Sequence, residues 1–206
     1  QLQVGSAYVI YSWDGAIPFN DFKGLLVRPT GPGNYRLFFG QNGETSFWPS
    51  GFFGSNYATN NEETLDIRNT DTFNATYAYA NEPGVVNQLL LGRDFSAGNR
   101  SWNGKVLELV IFNSELTIEE RANLNAYVQC HYTPIPELPD TIFSTDFCPI
   151  EIDVERDYFK SYSWSTGATS PALEVTKSGD YGVELVTIFN DTLTAEISVQ
   201  FPGNFI

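Results

Sequence analysis

No stretch of this 206-residue chain is long and apolar enough to span a membrane, which excludes an inserted helix. Positive charge is scarce. Eleven basic against twenty-five acidic residues give a net charge of −14, which repels the phosphates of nucleic acids and anionic lipid headgroups and removes both from the expected partners. Histidine occurs once, as His131 beside Cys130, and an adjacent Cys–His pair is not the spatial arrangement that activates a nucleophile. Tandem repeats and low-complexity tails are missing too. Methionine is absent, and the chain opens at Gln1 without a charged and then apolar leader, so it reads as a processed piece of a longer polypeptide whose signal would lie upstream.

The acidity is uneven. From Pro134 onward there are twelve acidic and three basic residues, net −9, against net −5 before it. Acidic surfaces favour solubility and also suit divalent cations. The two cysteines, Cys130 and Cys148, flank Pro134, Pro136 and Pro139. In an oxidising compartment a bridge between them would contribute about 3 kcal/mol by the chain-entropy model; otherwise they are two free thiols.

Residues 1–133 are strand-like segments broken by Gly, Asn and Pro, at 7–13, 23–29, 34–40, 63–69, 76–80 and 88–94, a spacing that predicts an all-β sandwich. They end in GKVLELVIFNSELTIEERANLNAYVQCHY, residues 104–132. Here Val106, Val110 and Phe112 alternate with Leu107, Leu109 and Ile111, so both faces of the strand have apolar groups to bury. Thr117 and Glu120 then have the spacing of a capping box, and Leu124, Tyr127 and Val128 form one helical stripe expected to lie against the sandwich. This strand and helix resemble the close of laminin-G-like, concanavalin-A-type jelly rolls. The resemblance implies that residues 1–133 form such a domain without its first strands.

The Pro-rich stretch 134–140 reads as a semi-rigid linker. After it, Ile150, Ile152 and Val154 alternate with Glu151, Asp153 and Glu155, as in a strand with one buried face, and Tyr162 and Trp164 share a face of the next strand. The run SYSWSTGATSPALEVTKSGDYGVELVT, residues 161–187, resembles the immunoglobulin-like repeats of bacterial surface proteins exported by type 9 secretion. Tyr181, two residues before Val183, is similar to the tyrosine corner of that fold. Residues 141–206 are accordingly expected to be a small immunoglobulin-like sandwich. In such repeats a cysteine at the position of Cys148 often pairs near the last strand, where this chain reads Phe189-Asn190-Asp191, leaving Cys130 as its substitute partner.

Three candidate sites follow. Residues 41–61 concentrate Phe47, Trp48, Phe52, Phe53 and Tyr57 among Gly, Ser and Asn, a composition suited to stacking on sugar C–H faces and equally to a sandwich's own core. Laminin-G-like domains often hold one calcium ion at the sandwich rim. The resemblance points to Asp94 and Asn99, with Asp14 and Asp21 as a weaker pair, although turn-forming hydrogen bonds explain such residues as well. Asp140-Thr141-Ile142 and Asp191-Thr192-Leu193 match the O-glycosylation signal of the bacteria whose surface proteins the chain resembles, at Thr141 and Thr192; Asp before Thr is also an ordinary turn. Glycosidases of the concanavalin-A-type fold carry carboxylates spaced E-x-D-x-x-E on one strand. Here Glu62, Glu63 and Asp66 are followed by Arg68 and Asn69, so no catalysis is expected.

Together these features describe a non-enzymatic adhesin fragment, secreted or at a bacterial cell surface in the setting of gliding motility. A jelly roll would bind a glycan or protein partner, with calcium as its one expected cofactor, and an immunoglobulin-like spacer would project it. Two other settings fit the same residues: a purely structural stalk, and the accessory carbohydrate-binding region of a secreted hydrolase.

Overall fold

β-Branched and aromatic residues between Gly, Asn and Pro breaks form strands in both halves of the chain. The computed structural model describes residues 1–16, 18–28, 36–40, 42, 47–49, 53, 57–59, 72–93 and 100–203. These form an all-β protein with one α-helix, divided into two compact units, Gln1–Arg121 and Ala122–Ile206.

The first unit holds β1 (Leu2–Tyr11), β2 (Lys23–Val27), β3 (Arg36–Gly40), β4 (Phe47–Pro49), β5 (Tyr57–Thr59), β6 (Asn74–Val86), β7 (Leu90–Leu91) and β8 (Val106–Phe112). They make two four-stranded antiparallel sheets, ordered β5-β6-β1-β8 and β4-β3-β2-β7. Val4, Ala7, Val9, Tyr11, Ala78 and Ala80 of the first sheet share one core with Leu25, Leu26, Leu37 and Phe38 of the second, which makes the unit a sandwich. Strand β1 is buried on both faces, since Ser6, Tyr8 and Ile10 are as inaccessible as Ala7, Val9 and Tyr11.

The alternation expected in β8 is broken. Ile10 pairs with Glu108 but Tyr11 pairs with Val106, so Leu107 is an extra residue in a β-bulge. The bulge reverses the phase of the strand. Val106 joins Leu109 and Ile111 against the core, while Leu107 is 39% exposed. The expected grouping of Val106 with Val110 and Phe112 is thereby corrected.

Helix α1 (Ile118–Tyr132) begins in the expected capping box. The Thr117 backbone N–H donates to Glu120 Oε2 at 2.8 Å, and the Glu120 N–H returns a bond to Thr117 Oγ1 at 3.2 Å. Of its apolar stripe Val128 is buried, Leu124 half-buried and Tyr127 exposed. The boundary between the two units falls inside α1, ahead of residues 134–140. Arg121 lies over the Tyr77 ring of the first unit, and Tyr132 packs edge-on against Phe189 of the second. Within the Pro-rich stretch Pro136 is buried and Leu138 packs on the core of the second unit.

The second unit holds β9 (Thr141–Phe143), β10 (Ile150–Asp153), β11 (Phe159–Trp164), β12 (Ala172–Val175), β13 (Gly179–Thr187) and β14 (Thr192–Gln200). β10 and β12 pair with each other, and the other sheet runs β11-β13-β14-β9. Ile152, Val154, Leu173 and Val175 meet Phe159, Trp164, Val183, Leu185, Ile197 and Val199 in a common core, while Glu151, Asp153 and Glu155 are exposed as their alternation requires. Trp164 is a core residue whose indole N–H donates to the Ser170 carbonyl at 2.9 Å. The Tyr181 hydroxyl donates to the Lys177 carbonyl at 2.8 Å, four residues upstream, and Val183 is buried two residues later. This is the geometry of a tyrosine corner.

Candidate functional site

The aromatic segment expected as one loop contains two strands. β4 and β5 are the outer strands of different sheets, and the chain passes from one sheet to the other between them. In backbone register Phe47 pairs with Gly40, Trp48 with Phe39, and Tyr57 with Ala78. The structure therefore places Phe47 and Trp48 on one sheet edge and Tyr57 on another. Phe53 is corrected from candidate ligand contact to core: it is 1% exposed and lies 5.3 Å from Phe38, ring to ring. Phe52 lies outside the described residues, as do Glu62, Glu63 and Asp66.

At the sandwich rim, Trp13 packs on Phe19 and Trp102 with ring separations of 4.9 and 4.8 Å. Both indoles are satisfied, Trp13 Nε1 by the Ala16 carbonyl and Trp102 Nε1 by the Ser12 carbonyl at 2.8 Å. Beside this aromatic wedge stand Asp14 and Asp21, the weaker calcium pair. Asp14 Oδ1 accepts from the Ser12 hydroxyl at 3.3 Å. Asp21 Oδ1 accepts from the Phe22 N–H at 2.8 Å and Oδ2 from Arg100 Nε at 3.1 Å. The bond from Phe22 and the neighbouring guanidinium hold the Asp21 carboxyl below its ordinary range. Arg100, which also covers the Phe22 ring, thus places a positive charge beside Asp21 and makes it an ion-pair partner. The stronger candidates, Asp94 and Asn99, lie outside the described residues. Among the described residues no three of His, Cys, Asp and Glu gather closely enough to hold a metal ion.

Cys130 and Cys148 are free thiols, both exposed, and the expected bridge between them is not formed. The Asp146 carboxylate accepts the Cys148 backbone N–H at 2.8 Å; a hydrogen bond from the Cys148 thiol to the same carboxylate, together with the carboxylate's charge, pushes the thiol up. His131 stacks on Tyr127 at 5.5 Å and meets Tyr132 edge-on at 4.8 Å. Thr141 opens β9 and is half-buried; Thr192 opens β14 and is exposed. Asp191 lies in the turn before Thr192, where its N–H donates to Thr187 Oγ1 at 3.1 Å.

One arrangement escaped the sequence. The Ser6 hydroxyl donates to the Ser114 carbonyl at 2.7 Å, and the Leu116 N–H donates to the Tyr77 hydroxyl, also at 2.7 Å, in a buried setting. Gly5 sits so close to the Ser114 backbone that an added Cβ would come within 2.3 Å of it. Residues 113–117 are thereby strapped onto β1 and β6. No motif announces this, because the partners lie 108 and 39 residues apart.

No known family, curated protein or solved structure matches the chain.

Proposed function

We propose that the chain is part of a non-enzymatic adhesin, secreted or at a bacterial cell surface, in which the first unit binds a glycan or protein and the second acts as a spacer. The observation that carries this reading is the pairing of two separately cored β units, the second closed by the Tyr181–Lys177 corner that the immunoglobulin-like resemblance calls for. Support for the binding role comes from β4, an outer strand with the sequence Phe47-Trp48-Pro49. Sheet edges are where strands and ligands are added, and aromatic residues suit the C–H faces of sugars. Calcium, if the first unit takes it, falls to Asp94 and Asn99 in this reading, since Asp21 is engaged by Arg100.

The test is a glycan-array screen of the whole chain with calcium and again with chelator, alongside W48A and D94A. Binding lost in W48A supports a lectin-like first unit. Loss on chelation and in D94A adds the metal. Silence under both conditions sinks the glycan reading and leaves a protein partner or a structural stalk.

A further inference from the structure

We propose that the second unit is a tension-bearing module whose resistance resides in the parallel pairing of β9 with β14. This deepens the spacer reading and rests on it for its setting. β9 is the first strand of the unit and β14 the last, and they form the one parallel strand pair among the described residues. Thr141 stands beside Ser198, Ile142 beside Val199 and Phe143 beside Gln200. A pull on the two ends of the unit draws β9 back along its own direction and β14 forward along its own. Because the strands are parallel, these forces oppose each other along the strand axis, and the pair must slide rather than peel. Every bond between them then takes load at once.

Two bonds extend the pairing beyond its strands: Ser198 N–H to the Asp140 carbonyl at 3.0 Å, and Ser144 N–H to the Gln200 carbonyl at 2.8 Å. Ile142 packs against the core, so sliding also drags an apolar side chain out of its contacts. The far side of β14 is held by eight register pairs to β13.

The terminal strands of the first unit have the opposite geometry. β1 and β8 are antiparallel, with Ser6 beside Phe112 and Tyr11 beside Val106. A pull entering at the start of β1 and leaving at the end of β8 acts on one end of that ladder, so its bonds meet the load in turn.

The exposed thiols provide the test in the full chain. Cys130 precedes β9 and Cys148 follows it. In C148S a handle on Cys130 and another at the C-terminus place β9 and β14 in the loaded path. In C130S a handle on Cys148 leaves β9 outside that path, and the load falls on β10 and β14, which belong to different sheets. Since forced unfolding follows the barrier along the pulled direction, the peak force is expected to fall about twofold when the handle moves from 130 to 148. S144P, which removes the donor to Gln200, is expected to lower the force at the 130 attachment and leave the 148 attachment unchanged. Equal forces at the two attachments, or a higher force at 148, overturn the proposal. The handle shift leaves both sheets intact, so it decides the matter even if S144P does not fold. A silent glycan screen leaves the mechanical result standing, and a weak second unit leaves the screen standing.

Discussion

The two units reach a buried core by different means. In the second, alternate residues face inward, so Ile152, Val154, Leu173 and Val175 are buried while Glu151, Asp153 and Glu174 stay in water. In the first, consecutive residues are buried along β1 and β2, and the rim is filled by Trp13, Phe19 and Trp102, large rings whose polar atoms are tied to the backbone. The first unit therefore depends on shape and on a few long-range bonds, and the second on pattern. The contrast teaches that a readable strand needs one wet face; once both faces are covered the period-two signal is lost, although the strand is more strongly held.

Substitutions test this contrast from its largest expected effect downward. Phe38→Ala, which empties a fully buried site, is expected to destabilise the first unit by about 3–5 kcal/mol. Amide exchange of β1 should accelerate, while the fluorescence of Trp164, the second unit's own tryptophan, keeps its denaturant midpoint. A shift of the Trp164 midpoint would break the assignment of separate cores. Tyr77→Phe is next. It leaves the buried Leu116 N–H without its acceptor, for about 1–3 kcal/mol by the same exchange measurement, and no change there would show that the strap carries no stability. Tyr181→Phe removes one half-exposed bond in the second unit and should cost about 1 kcal/mol, read as a lower Trp164 midpoint in urea.

The smallest effect is electrostatic. Bonds from the Thr117 backbone and hydroxyl hold the Glu120 carboxyl below its ordinary 4.5. A depressed folded-state value means that the stabilisation is present above 4.5 and lost as pH falls through the lowered one. Glu120→Gln should flatten that part of the acid limb in a pH series of melts and leave neutral-pH stability nearly unchanged. A wild-type acid limb in the variant would show that the capping carboxylate does not contribute to it.

How far the sequence could be read follows the same division. The alternation at 150–155, the capping box at Thr117 and Glu120, and the corner at Tyr181 each rest on residues a few positions apart, and the structure has all three. The aromatic segment was ambiguous because stacking rings serve a core and a ligand equally well, and Phe53 proves to be core. The ion pair of Asp21 was hidden because its partner, Arg100, stands 79 residues away. The pairing of β9 with β14 was invisible for a related reason: a three-residue strand states no preference for its neighbour, and parallel partners are set by topology.

The bulge at Leu107 has one further consequence. Val106–Phe112 has six apolar residues in seven, and it lies at the outer edge of its sheet, where it would be the natural template for pairing with another molecule. The extra residue interrupts the regular spacing of backbone donors and acceptors, and Glu108 puts a charge beside the break. An incoming strand can copy the register of Glu108–Phe112 but cannot carry it past the bulge. The regular template is in this way cut from seven residues to five, with a charge at its end.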